Sequence, residues 1–508
     1  MATALRSPTS STTGTLNLVR NTGWNLAGQI IPTVVAVFTI PSLMRHVGTD
    51  RFGVLTIAWA VLAYFSLFDF GLGRAVTMLA AERVGTQRDS EVAPLAWTAL
   101  SIMGALGILA GVVAALVSPV LIRRVFQVPL PLQAESIMAC RLLGLSLPFV
   151  ILTTGLGGIM GAVQRFDVLN QLRMPQGIFT YVAPWAVALF NPRLSVIIAV
   201  MVLGRIIFCF VHLLYSFRVL PELSHQFSVQ LRYVRPLLGF GGWMTVSNVV
   251  GPVMMYFDRF LIGARLSVAA VAYYATPHEA VNRLLVVPVS ISAVLFPAIA
   301  SALEKSVDEA TNLFARAMDL TTAILLPITA VVVMFANEGL TLWLGPSFAE
   351  NSVRILQLLV IGVLINGFAQ VNFAVVQGAG RADLTAKFHL LELPIYLLML
   401  WYLLSKFGAT GAALAWSLRT LLDMALLFFT IISLTHQHRR VVWLKFAESA
   451  VLIVVLVACM FIPAEGYWRI FALLLMACSY LAYAWRVVLK GKHPGELIPY
   501  FRMLRTDQ

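Results

Sequence analysis

Six arginines, Arg74, Arg141, Arg205, Arg259, Arg283 and Arg419, lie inside long apolar stretches of the chain. A cation at the centre of a bilayer costs roughly 2.5–3.5 kcal/mol on insertion scales, so such a residue normally faces a protein interior or a water-filled cavity. The guanidinium fork also matches the oxygens of a phosphate with two parallel N–H groups. Several arginines around one cavity would therefore suit an anionic cargo such as a phosphate.

The acids near these arginines decide which cations are already neutralised. Glu279 and Arg283 are four residues apart, as are Arg419 and Asp423, and that spacing places each pair on one helix face. For Glu279 and Arg283, cargo binding and a structural ion pair are equally open; for Arg419 and Asp423 the ion pair is favoured. Asp258 and Arg259 are adjacent and cannot share a face. Asp69 is five residues from Arg74, about 140° round a helix, which makes it a poor local partner. Arg141 and Arg205 have no acid within one turn; Arg141 is placed to snorkel to the outer interface, and His212 is a candidate companion for Arg205. Asp69, Asp258 and Glu279 are the acids placed to couple a transport cycle to H⁺ or Na⁺.

The remaining polar residues carry weaker signals. Asn366, Gln370, Asn372 and Gln377 run along one apolar segment, where sugar binding and interhelical hydrogen bonding are equal readings. His436-x-His438-Arg439-Arg440 reads as a basic loop rather than a metal site. Cys140, Cys209, Cys459 and Cys478 sit in apolar segments without CxxC spacing and read as small core residues. GxxxxGK[ST], HExxH and GxSxG are absent from the sequence, and the loops are short. The expectation is a secondary transporter with no cofactor and no metal, not an enzyme.

These residues have to be held by membrane-spanning elements. The chain has 508 residues, 59% hydrophobic and 12% charged, against about 45–50% and 25% for a soluble domain. Windows of about 20 apolar residues centre on 22–44, 53–78, 93–119, 137–162, 171–190, 194–217, 237–263, 268–299, 317–343, 354–378, 385–405, 408–433, 444–463 and 468–489, which predicts fourteen helices. Gly107-x-x-x-Gly111 and Gly157-x-x-x-Gly161 predict close helix packing. The net charge of +13 fits basic cytoplasmic loops: with the N-terminus inside, about two-thirds of the loop Lys and Arg fall on the cytoplasmic side, placing both termini there. The first residues, MATALRSPTSSTTGT, are polar and read as a disordered tail rather than a cleavable signal.

The chain also repeats itself. Gly23-Trp24 and Gly242-Trp243 stand 219 positions apart, VGTDRFGVL (47–55) lies over LSVAAVAYY (266–274) at the same offset, and Pro175 returns as Pro394. Arg165-x-Asp167 and Arg381-x-Asp383 recur at 216. Six spans separate the copies, so both halves enter the membrane in one direction and are related by a pseudo-twofold axis along its normal. The expected organisation is an all-α polytopic membrane protein with a cytoplasmic tail (1–17), two six-helix bundles (18–220 and 232–435), two additional transmembrane helices (441–490) and a second cytoplasmic tail (491–508). A cavity lies between the bundles, and the repeat places Arg74 and Arg283 in matching positions across it.

Three stretches resemble the polysaccharide-biosynthesis flippases of the multidrug/oligosaccharidyl-lipid/polysaccharide (MOP) exporter superfamily: RFGVLTIAWAVLAYFSLFDFGLGRAVTMLAAE (51–82), LLGFGGWMTVSNVVGPVMMYFDRFLIGARLSVAAVAYY (237–274) and VVQGAGRADLTAKFHLLELPIYLLMLWYLLSKFGATGAALAWSLRTLLD (375–423). The resemblance implies two six-helix bundles forming a V, with two further helices in the lipid-flipping branch. It implies movement of an undecaprenyl-pyrophosphate-linked oligosaccharide, of the O-antigen or exopolysaccharide type, from the cytoplasmic to the periplasmic leaflet of the bacterial inner membrane. It also implies that cavity arginines on spans one, two, seven and eight, here Arg20, Arg74, Arg259 and Arg283, hold the pyrophosphate; Arg205 is a further candidate from its depth alone. A polymerase and glycosyltransferases of the same pathway are the expected partners, and nucleic acid is not. A lipid II flippase, a drug/cation antiporter of the same superfamily and a non-transporting scaffold of a glycan-assembly complex are the rivals.

Overall fold

The computed structural model describes residue 28 and residues 31–67, 72–86, 88–225, 227–434, 439–462 and 480–481; for 66, 67, 85, 89, 166, 239–252 and 382 the description is of the backbone alone. The chain is all-α over these residues, as the apolar periodless runs predict. Its helices are α1 (Ile31–Val47), α2 (Thr49–Leu67), α3 (Leu72–Gly85), α4 (Val92–Val120), α5 (Leu130–Ala162), α6 (Phe166–Phe190), α7 (Leu194–Val219), the single turn α8 (Glu222–His225), α9 (Val234–Arg265), α10 (Val268–Asn282), α11 (Val286–Lys305), α12 (Val307–Met334), α13 (Ala336–Leu344), α14 (Pro346–Gly378), α15 (Ala382–Leu434) and α16 (Arg439–Cys459).

Among the described residues, eight helical stretches are long and apolar enough to cross a bilayer: Val92–Val125, Leu130–Ala162, Leu194–Val219, Val268–Lys305, Val307–Met334, Pro346–Gly378, Asp383–Leu434 and Arg439–Cys459. The protein is a multi-pass membrane protein. One of the eight, α15, is two helical arms joined at Gly408 (φ 59°, ψ −146°), a conformation open to glycine. Most of the last expected window, 468–489, lies outside the described residues, although Tyr480 donates to the Ala323 carbonyl on α12 at 2.8 Å.

Contacts group the chain into two units, Met1–Ala275 and Thr276–Gln508. In the first, small residues let helices approach closely. A Cβ on Gly111 would lie 2.4 Å from the Gly144 carbonyl oxygen, and one on Gly107 would lie 2.6 Å from Pro148 Cα, so the α4–α5 crossing depends on both glycines. At the second glycine pair the close approach is shifted by one residue: a Cβ on Gly158 would lie 2.7 Å from the Gly73 carbonyl oxygen on α3, whereas one on Gly157 would lie 3.3 Å from the Leu169 side chain. Leu72, Ala75, Val76, Ala96, Ala99, Met103, Ile159 and Leu237 form the buried centre of this unit. Gly53 on α2 packs against the Val268 backbone, bringing the two repeat-related segments VGTDRFGVL and LSVAAVAYY together.

The second unit is built round α14, in which Leu359, Val360, Val363, Leu364, Phe368 and Val371 are buried. The helix α16 is fastened to it at both ends. Lys445 pairs with Asp319 on α12 and with Glu448 at 2.8 Å, and Arg354 donates to the Met460 carbonyl at 2.5 Å.

The repeat is visible in backbone detail. Helices α5 and α14 are each 33 residues long, and each ends in the same turn. Gln164 (φ 58°) and Gly380 (φ 75°) take the left-handed conformation. Their N–H groups bond to Gly161 O at 3.0 Å and Gln377 O at 2.9 Å. Arg165 and Arg381 then bond back to Met160 O and Val376 O, at 3.0 and 3.1 Å. Each arginine pairs with the aspartate two residues on, at 3.0 Å for Arg165–Asp167 and 3.1 Å for Arg381–Asp383.

Candidate functional site

Two of the arginines expected to hold a cargo remain exposed on apolar helices. Arg74 lies on α3 among the fully buried Leu72, Ala75 and Val76, and its own side chain points away from that core. Arg283 opens a short tighter turn, Arg283–Leu285, that joins α10 to α11 and interrupts an otherwise continuous apolar span. It too is exposed, and Glu279 one turn earlier is half-buried. Arg74 belongs to the first unit, Glu279 and Arg283 to the second.

Arg259 and Asp258 are placed differently. Both are buried near the end of α9, at 2% and 0% exposure. Asp258 accepts the Arg259 backbone N–H at 2.7 Å and the hydroxyl of Tyr274, and the Arg259 guanidinium lies 5.1 Å from the centre of the Tyr256 ring. Adjacent residues cannot share a helix face, and this local wiring shows how the fold houses both charges all the same. Arg205 on α7 is half-buried and reaches Thr180 on α6 at 3.5 Å. His212, the companion expected for it, is buried with Nδ1 2.8 Å from the Phe208 carbonyl of its own helix. Arg141 is exposed. Arg20 and Asp69 lie outside the described residues.

A small apolar cleft opens in the first unit, lined by Val54, Ile57, Leu121, Phe126, Leu143 and Phe260 among others. No arginine lines it, so it offers nothing to an anion.

The second unit holds a polar cluster that sequence reasoning found only in part. Arg419 was expected to pair with Asp423 on its own helix. Asp423 does feel the Arg419 charge, and the guanidinium also stands 3.6 Å from Glu392, on the other arm of α15, where Glu392 is fully buried. His389, one turn before Glu392, brings Nδ1 to 3.7 Å from the same carboxylate. One ligand atom each of His389, Glu392 and Asp423 lies within 4.8 Å of the others. Phe373 on α14 tilts over the His389 ring at 6.2 Å, and Arg419 lies 5.9 Å from the centre of the buried Tyr396 ring. The sequence signal was available: Glu392 is an acid inside an apolar span, like the arginines.

Residues 43–353 match the profile of a family described as "Polysaccharide biosynthesis protein". The chain belongs to the polysaccharide biosynthesis protein family. Within it, the chain is similar to the "Putative O-antigen transporter" of Shigella flexneri, with 29% identity over 81% of this chain and 97% of that one. It is also similar to the "Uncharacterized membrane protein EpsK" of Bacillus subtilis, with 21% identity over 64% and 65%.

Two solved structures share the fold of this chain. An inward closed conformation of the lipid II flippase MurJ superposes with a TM-score of 0.70 at 11% identity, covering 92% of this chain and 98% of that one. An inward-facing multidrug resistance MATE transporter of the MOP superfamily gives 0.68 at 13% identity, covering 81% and 99%. The resemblance to the polysaccharide-biosynthesis family read from the three sequence stretches is borne out by the family match, and the chain shares its fold with these two structures.

Proposed function

We propose that the protein is an inner-membrane flippase that carries an undecaprenyl-pyrophosphate-linked oligosaccharide, an O-antigen or exopolysaccharide repeat unit, from the cytoplasmic to the periplasmic leaflet. The observation that carries this reading is the exposure of Arg74 and Arg283 on apolar helices, one in each unit. A guanidinium exposed on an apolar membrane helix needs water or an anion beside it. The family match and the end-to-end similarity to a protein named as an O-antigen transporter supply the cargo class.

In this reading Arg74 and Arg283 grip the pyrophosphate, with Arg259, Arg20 and Arg205 in supporting positions. Each bidentate contact supplies a charge-assisted pair of hydrogen bonds. The bundles 18–220 and 232–435 rock about the cargo in alternating access, the headgroup passes through a wet cavity, and the polyprenyl tail stays in lipid. Both termini face the cytoplasm, and Asp69, Asp258 and Glu279 are candidates for coupling to H⁺ or Na⁺. A polymerase and glycosyltransferases of the same pathway would supply and consume the cargo.

The test is complementation of a deletion strain with Arg74→Ala and Arg283→Ala. Both variants should reach the membrane at wild-type levels and lose surface glycan. Normal glycan from both would favour a scaffold, which has no use for exposed cations in its spans. Rescue of a lipid II flippase deletion, suggested as an alternative by the shared shape, would redirect the cargo assignment.

A further inference from the structure

The arms of α15 converge on a group of charges that the cargo reading does not use. Glu392 is fully buried, and neither of its oxygens receives a hydrogen-bond donor. Its neighbours are the Arg419 guanidinium at 3.6 Å, His389 Nδ1 at 3.7 Å, and Asp423, whose carboxyl is within hydrogen-bond reach. Two ionised carboxylates in contact repel, and neither can donate to the other. The donor missing at Glu392 is one that Asp423 supplies only when it carries a proton.

The charge count points the same way. With His389 neutral, Glu392, Asp423 and Arg419 sum to one negative charge inside a membrane helix hairpin, and a single proton makes the group neutral. An uncompensated charge buried in this setting is costly, whereas a neutral hydrogen-bonded group is tolerated. The charged groups acting on Asp423 are Glu392, Arg419 and His389, and those acting on His389 are Glu392, Asp423 and Arg419. Tyr396, under Arg419, adds a phenol, and α14 contributes the uncharged Phe373. Asp383 and Lys387, farther along the first arm, are paired with each other and with Arg381.

His389 connects the group to the outside. Its side chain is 38% exposed, yet its Nδ1 is buried on the Glu392 side with no hydrogen bond. The ring thus spans from accessible surface to buried carboxylate.

We propose that Glu392 and Asp423 form a proton-binding site in which the two carboxylates share one proton, with His389 as its route to water and Arg419 as its fixed counter-charge. On uptake, a proton from water adds to the accessible ring nitrogen and the Nδ1 proton passes to Glu392, leaving the ring neutral. An approach of about 1 Å brings Nδ1 into hydrogen-bond range. Release runs in reverse and returns the proton to water. The two states differ by one buried charge, so a conformation that opens the hairpin to water favours the empty state. The use of this proton in a transport cycle rests on the flippase reading; its binding does not.

The experiment is a pH titration of the full-length protein in lipid vesicles, followed by infrared difference spectroscopy of the carboxylic acid C=O stretch. The wild type should show about one protonated carboxyl per protein that titrates as a shared pair. That signal should vanish in Glu392→Gln and in Asp423→Asn, and persist with a moved midpoint in Glu392→Asp. His389→Ala should leave its amplitude intact and slow its appearance after a pH jump by about tenfold or more. Gel filtration of each variant separates loss of the site from loss of the fold. No titrating carboxyl in the wild type, or one that survives both Glu392→Gln and Asp423→Asn, overturns the proposal. A signal governed by Na⁺ rather than pH overturns it in favour of a metal-ion site. Failure of glycan export with the titration intact would count against the cargo reading alone.

Discussion

Among the single residues, the arginines divide by exposure. Arg259 is buried beside Tyr256, Arg205 and Arg419 are partly buried beside Thr180 and Glu392, and Arg74 and Arg283 are exposed. Losing a charge-assisted contact to phosphate costs about 1.5–3 kcal/mol, or about ten- to a hundredfold in affinity. Arg74→Ala and Arg283→Ala should therefore reduce glycan export by that order, measured as surface glycan per cell, while Arg141→Ala leaves it unchanged. The Arg165–Asp167 fork gives a pH prediction. Partial burial works against ionisation of Asp167, but the hydrogen bonds from Arg165 and the backbone outweigh it and hold the carboxyl below its ordinary range. A lowered folded-state pKa adds stability above about pH 4, lost as the pH falls through the lowered value. For a surface pair this is about 0.2–1 kcal/mol, so Asp167→Asn should narrow the difference in thermal midpoint between pH 6 and pH 3. The intramembrane arginines were legible because charge in an apolar run stands out. Helical spacing pointed to Asp423 beside Arg419 but not to Glu392, which meets it across the Gly408 turn, because spacing sees only one arm.

The helices themselves follow from hydropathy, and their interruptions do not. The long apolar runs place α4 and α7 closely, whereas α5 and α14 begin well before their windows and the window 317–343 straddles α12 and α13. The turn at Arg283–Leu285 and the wide helical turn at Leu121–Val125 contain no proline or glycine themselves, although Pro288 and Pro119 lie close by, and hydropathy does not place them. Glycine roles are legible in kind but not in register, as the step from Gly157 to Gly158 shows. Where backbones touch, a side chain must push them apart. Gly111→Leu should separate α4 from α5 and cost about 1–3 kcal/mol or more, read as a lowered melting midpoint in detergent. Gly408→Ala should cost on the order of 1–3 kcal/mol, because its backbone lies where L-residues are strained; that loss should appear in proteolysis near the turn. An unchanged midpoint in Gly111→Leu would show that the crossing is looser than its distances imply.

For the molecule as a whole, the internal repeat was the most informative sequence signal. The turns after α5 and α14 repeat their left-handed residue, their hydrogen bonds and their Arg–Asp pair. Such agreement is what two copies of one local plan would give, and the chain as a whole shares the fold of a lipid II flippase over 92% of its length at 11% identity. A fold of this kind hosts several cargoes, so the shape cannot choose among them and the site must. The most direct measurement is translocation of an undecaprenyl-pyrophosphate oligosaccharide in vesicles carrying the purified protein, read as protection of the sugar from an added glycosidase. The account predicts rapid, protein-dependent loss of protection in the wild type and at least a tenfold slower loss in Arg74→Ala with Arg283→Ala. A wild-type rate no faster than that of protein-free vesicles would contradict it.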